Sequence, residues 1–95
     1  MNTAINAKLW NIMDMLQRLD FTPEEHPLTM HAEDWFIRPV AGGTQNLRVV
    51  VHPDDDNAVY VHYLDRHYVS EWTAAFDGSV PNEVIRQTLK AAINA

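Results

Sequence analysis

Apolar and polar positions alternate most regularly in the middle of the chain. Residues 47–52 (Leu47, Arg48, Val49, Val50, Val51, His52), 59–64 and 69–76 form three apolar-rich runs, dense in the β-branched and aromatic residues that suit a pleated sheet. Pro53, three consecutive aspartates and Asn57 separate the first two, and Asp65, Arg66, His67 and Tyr68 separate the last two. The pattern predicts an antiparallel meander, and the parity of each loop decides which side chains share a face. An even connection after residue 64 puts Leu47, Val49, Val51, Val59, Val61, Trp72 and Phe76 on one continuous apolar face. The other face then carries Arg48, Val50, His52, Tyr60, His62, Leu64, Glu71 and Thr73. With Leu64 opposite Val69, His62 lies opposite Glu71, and a five-residue first turn sets Arg48 across from His62.

Before the meander, residues 3–19 predict a helix, with Ile5, Leu9, Ile12, Met13, Leu16 and Leu19 at three-and-four spacing and Asn2 or Thr3 as cap. Trp10 falls off that stripe, either covered by a neighbouring loop or exposed as an anchor for a partner; the covered arrangement is the expected one. Residues 20–34 hold five acids and no Lys or Arg. Thr22, Pro23, Glu24 and Glu25 have the form of a capping box and predict one helical turn. His26 before Pro27 is pushed toward extended geometry, and Leu28 and Met30 alternating with Thr29 and His31 suit a short extended piece. Residues 35–40 predict the first full strand, with Trp35 and Ile37 inward, Arg38 outward and Pro39 confining it to a sheet edge. Ala41, Gly42, Gly43 and Thr44 form its hairpin turn.

Asp77, Gly78 and Ser79 end the last strand, and residues 81–93 predict a closing helix with Val84, Ile85, Thr88, Leu89 and Ala92 inward. Arg86 and Lys90 sit where positive charge suits the helix C-terminus. The expected architecture is α+β in two layers: an N-terminal helix, a three- or four-stranded antiparallel meander and a C-terminal helix. Both helices cover the same sheet face, in one domain spanning residues 1–95.

Ninety-five residues suffice for one core, and the absence of cysteine excludes disulfides, thiolate chemistry and cysteine zinc sites. No basic, apolar leader and no stretch of membrane-spanning length is present, so the expected protein is soluble and cytoplasmic, with no membrane partner. A formal charge of −6 with scattered cations argues against direct nucleic-acid binding. It leaves open an acidic DNA mimic that blocks a nucleic-acid-binding protein, with Asp54, Asp55 and Asp56 as its acidic patch.

Glu71, Trp72, Thr73, Ala74, Ala75 and Phe76, followed by Val80, Pro81, Asn82, Glu83 and Val84, resemble the closing pattern of a small actinobacterial domain family of unknown function. In that pattern a threonine caps the last helix, proline starts it and glutamate closes a capping box. Val80 stands in the threonine's place, so either Ser79 takes the cap or the cap is weaker. The resemblance spans the last third of the chain and implies no activity. At fold level the arrangement is also similar to small acidic secretion chaperones, which implies a chaperone-like adaptor.

Five histidines raise metal or acid–base chemistry, but none has metal-ligand spacing, and the aspartate run lacks the alternation and central glycine of a calcium loop. No metal and no cofactor is expected. The best catalytic constellation is His62 as base, Glu71 as its orienting carboxylate and Arg48 as an anion clamp. It lacks a nucleophile and a phosphate loop, so the protein is expected not to be an enzyme. The expected function is a protein–protein interaction module, a homodimer or an adaptor on a larger protein. Its binding residues are Trp10, Arg48, Val50, Tyr60, His62, Leu64 and Glu71. A small, acidic, motif-poor chain also fits a phage or mobile-element protein that modulates a host protein.

Overall fold

A computed structural model describes residues 7–25 and 33–95. The described elements are α1 (Ala7–Arg18), β1 (Thr22–Glu24), β2 (Asp34–Val40), β3 (Gln45–His52), β4 (Ala58–Leu64), β5 (Ser70–Phe76) and α2 (Asn82–Ile93). The five strands form one antiparallel sheet in chain order, so every strand pairs with its sequence neighbours. This is the expected α+β arrangement with one or two more strands than the pattern predicts. The helix start at Thr3, its caps and Ile5 lie outside the described residues, as does the extended piece from His26 to His31.

Alternation along β3 and β4 builds the core. Leu47, Val49, Val51, Val59 and Val61 are shut from solvent on one face, joined there by Phe36 and Val40 of β2. Ile12, Met15 and Leu16 of α1 and Ile85, Leu89 and Ala92 of α2 close over that face, so both helices lie on one side. Met15 is a core residue that the predicted stripe omits, whereas Val84, expected inward, is 47% exposed.

Three local expectations are corrected. Thr22 to Glu25 form no helical turn, because the chain leaves α1 through a C-terminal motif that aims it into the sheet. Phe21 N–H donates to Leu16 O at 2.9 Å and Asp20 N–H to Gln17 O at 3.0 Å, with Asp20 at φ 66°. Phe21 is thereby buried, and Thr22, Pro23 and Glu24 pair with Ile37, Phe36 and Trp35. Strand β2 is consequently second in the sheet, not an edge. Pro39 is tolerated because the β1 ladder stops at Ile37, short of it.

The third correction reverses the faces of β2. Phe36 pairs with Val49 and Trp35 with Val50, so Phe36 and Val40 point toward the helices while Trp35 and Ile37 point away. Arg38 falls on the helix side without burying a bare charge, since it sits at the end of α1. Its Nη1 donates to Leu19 O at 2.7 Å and lies 3.8 Å from Asp20, where a cation meets the carbonyls of a helix C-terminus.

Helix α2 begins after Pro81 with no side-chain cap. Ser79 hydrogen-bonds Asp77 instead of capping, and those bonds from Ser79 hold the Asp77 carboxyl below the usual carboxylate range. Lys8 of α1 clasps this junction, its Nζ donating to Gly78 O and, at 2.7 Å, to Val80 O. Farther along, bonds from Arg86 and Gln87 lower the Glu83 carboxyl to about 2.

Gly78 lies against the β3–β4 turn so closely that a Cβ there would stand 1.9 Å from Asp56 O. Gly78→Ala should therefore cost about 1–3 kcal/mol by overpacking. Gly42→Ala, with open space around it but φ 68°, should cost about 1–2 kcal/mol from backbone strain alone. Urea melts of the two variants check both values. Wild-type stability in Gly78→Ala would refute the contact.

Candidate functional site

The face of the sheet opposite the helices carries a groove of about 460 Å³. Trp35, Arg48, Val50, Tyr60, His62, Leu64 and Tyr68 line it, with Glu33, His52, Asp55 and Ser70 completing the wall. Register accounts for this assembly. Trp35 pairs with Val50, Val50 with Tyr60, and Arg48 with His62, so one face collects side chains from three adjacent strands.

The β4–β5 connection reaches the expected face parity by another route. Its loop has five residues, 65–69, because Asp65 gathers the turn around itself. Asp65 Oδ1 accepts from His67 N–H at 2.8 Å and Val69 N–H at 3.0 Å, and Asp65 N–H donates to Val69 O. These backbone bonds, Val69's first, lower the Asp65 carboxyl's pKa. Leu64 then faces Ser70, and a bulge skips Glu71 before Tyr63 meets Trp72. An odd loop plus one extra strand residue restores even parity.

The bulge shifts each partner. His62 lies opposite Thr73, not Glu71, with Nδ1 2.9 Å from Thr73 Oγ1, which in turn sits 3.1 Å from Ser70 Oγ. Glu71 accepts from Gln45 Nε2 at 2.9 Å, and Gln45 Oε1 accepts from Tyr63 OH at 2.8 Å. Gln45 alternates with Leu47 and Val49, so Glu71 belongs to the helix side of the sheet. The trio of His62, Glu71 and Arg48 does not assemble.

Arg48 is no free anion clamp either. Its Nε and Nη2 donate to the two Glu24 carboxylate oxygens at 2.9 and 2.7 Å, and its guanidinium lies 4.9 Å from the centre of the Trp35 ring. It ties β1 to the sheet and props Trp35 against the groove. Val50 and Leu64, expected as exposed contacts, are buried at 5% and 3% exposure and serve as the floor. The accessible groups are the rings around them: Tyr68, 57% exposed, and Tyr60, set edge-on to His52 at 5.0 Å. Trp35 and Tyr68 escaped the sequence reading. Trp35 was hidden by an ambiguous alternation, because Trp35 and Ile37 look as apolar as Phe36 and Val40.

Trp10 stands apart, 64% exposed rather than covered. It lines a separate hollow of about 730 Å³ with Met13, Phe21, Pro23 and Phe36 between α1 and β1. Asp54, Asp55 and Asp56 are exposed in one turn, and only Asp55 reaches the groove wall among them. Among the described residues no three His, Asp or Glu groups converge as a metal cluster would, and no helix is long and apolar enough to cross a membrane. Comparison with protein-family models, curated proteins and solved structures returns no match.

Burial first, and the nearby Arg48 charge second, lower the His62 pKa. A lowered folded-state value means that the unfolded chain binds the proton more readily. Stability is therefore lost as pH falls through the ordinary histidine value of 6.5 and stops falling once the folded imidazole also charges. Denaturation of wild type and His62→Gln between about pH 7.5 and about pH 5.5 should show a steeper loss in the wild type. Equal slopes would remove His62 from the cause. Arg48→Met should cost about 1–3 kcal/mol by leaving the half-buried Glu24 carboxylate unpaired. Hydrogen exchange in such a variant should rise first in β1, and unchanged β1 protection would show that the pair does not dock that strand.

Proposed function

We propose that this protein is a non-catalytic binding module. Its open sheet face receives an extended segment of a partner protein, and that segment carries lysine or arginine. The observation that carries the reading is the groove itself: a sheet face that no described element covers, with an apolar floor of Val50 and Leu64, walled by Trp35, Tyr60 and Tyr68. Buried floors ringed by aromatic groups are the form that anchor residues of a partner fill.

Charge supports the choice of occupant. Asp55 and Glu33, the latter accepting from Trp35 Nε1 at 3.2 Å, stand at the wall, and the chain carries a formal charge of −6. Among the described groove residues Arg48 is the one lysine or arginine, and it is already engaged by Glu24. An arriving ammonium or guanidinium group finds carboxylates and ring faces there, the surroundings that the Trp35 ring gives Arg48. The catalytic reading draws no such support, since His62 contacts a hydroxyl and not a carboxylate. Asp54, Asp55 and Asp56 crowd a single turn, whereas a phosphate backbone spreads its charges along a line; mimicry of nucleic acid is accordingly the second reading. A phage or mobile-element origin, with a host protein as the partner, remains compatible with a binding module and adds nothing to its chemistry.

The test is an amide-shift titration with a hexapeptide alternating arginine and valine, against its counterpart with glutamate in place of arginine. The basic peptide should shift Val50, Tyr60, His62 and Leu64, more weakly at high salt. A variant with Tyr68→Asn and Asp55→Asn should lose the response while its spectrum stays folded. Equal shifts with the acidic peptide, or shifts confined to the helices, would sink the proposal.

A further inference from the structure

The sheet's two edges differ sharply. At one, β1 is three residues long and contains Pro23, so it offers little for another strand to join. At the other, β5 runs seven residues, pairs with β4 alone among the described strands, and is exposed over most of its length. Natural sheets blunt such an edge with lysine, proline or a bulge. Strand β5 has no lysine, arginine or proline, and its bulge lies at one end, beside Glu71. From Trp72 to Phe76 the edge is regular and uncharged, with the backbone groups of its outer side unpaired by any described strand.

We propose that a second copy of this chain covers that edge. The two β5 strands pair antiparallel about a two-fold axis at Ala74, making one ten-stranded sheet. The bulge dictates the centre, because Ala74 is the midpoint of the regular stretch. This register sets Trp72 opposite Phe76 of the second copy, twice, and Thr73 opposite Ala75, also twice; Ala74 meets its own mate at the axis. Large aromatic groups therefore face each other on the helix side, where Trp72 is 41% exposed and stacked on Tyr63 at 5.3 Å. No charge lies within the paired stretch, so no like charges face each other directly across it.

A two-fold axis normal to the sheet keeps both helix layers on one side and both grooves on the other. The partner is a second copy because the strand is its own complement in size and polarity at this register. Each copy nevertheless carries a formal charge of −6, so association strengthens as salt rises, opposite to an interface built on ion pairs.

Sedimentation velocity over a concentration series tests this with charge placed at the two exposed positions that face each other. Wild type should pass from one chain mass toward two as concentration rises, at lower concentration in high salt. The double variant Thr73→Lys/Ala75→Lys opposes lysines at both pairs, and Thr73→Glu/Ala75→Glu opposes glutamates. Each should stay a folded monomer by circular dichroism, at concentrations where the wild type has dimerised. An equimolar mixture of the two should restore the dimer, because every facing pair then joins opposite charges. Wild type that remains monomeric at all concentrations, or variants that dimerise like it, would overturn the proposal. Failure of the mixture to associate would overturn this register.

Discussion

The structure depends on the exclusion of water from one face of β3 and β4. Leu47, Val49, Val51, Val59 and Val61 hold both helices to a single side of the sheet, and the two-residue alternation of a strand then sends Arg48, Val50, Tyr60, His62 and Leu64 to the other. The groove-bearing face is thus a by-product of core formation. A one-residue slip in either strand would exchange the two faces at once, losing core and groove together.

Polar contacts finish what burial begins. The Arg48–Glu24 pair, with side chains 20% exposed on each partner, anchors the shortest strand, and Arg38 closes the end of α1 through Leu19 O. Both arginines sit at places where apolar packing gives out. Planar guanidinium groups suit these positions, since each satisfies fixed acceptors while its stem lies along the sheet. The surface pairs of Arg18 with Asp14 and Arg86 with Glu83 join residues of one helix and fix no tertiary contact.

Much of this was legible from residue pattern alone. Strands β3 and β4, both flanking turns, the closing helix and the side taken by the helices follow from alternation and from helical spacing. What resisted was local. The bulge at Glu71 depends on how Asp65 folds its own loop, and a four-residue separator reads the same whether Val69 joins the strand or the turn. In β2, two interleaved apolar sets left the faces undecided, and an arginine on the inner set misled because the end of α1 lies beyond any short-range pattern. The buried state of Val50 and Leu64 likewise depends on neighbours distant in the pattern, Trp35 of β2 and Tyr68 of the β4–β5 loop among them.

The meander order also governs how the molecule comes together. Each sheet pairing links neighbouring strands, and the inner hairpins close loops of a few residues, whereas the Lys8 clasp on Gly78 closes a separation of 70 residues. Loop-closure entropy makes the clasp costlier than a five-residue hairpin by about 2 kcal/mol. The same entropy favours the local strand pairings over the joining of the two helices through that clasp early in folding. Whenever the helices are absent from it, the valine face of β3 and β4 is bare apolar surface of the kind that aggregates, so covering that face protects the chain as well as stabilising it.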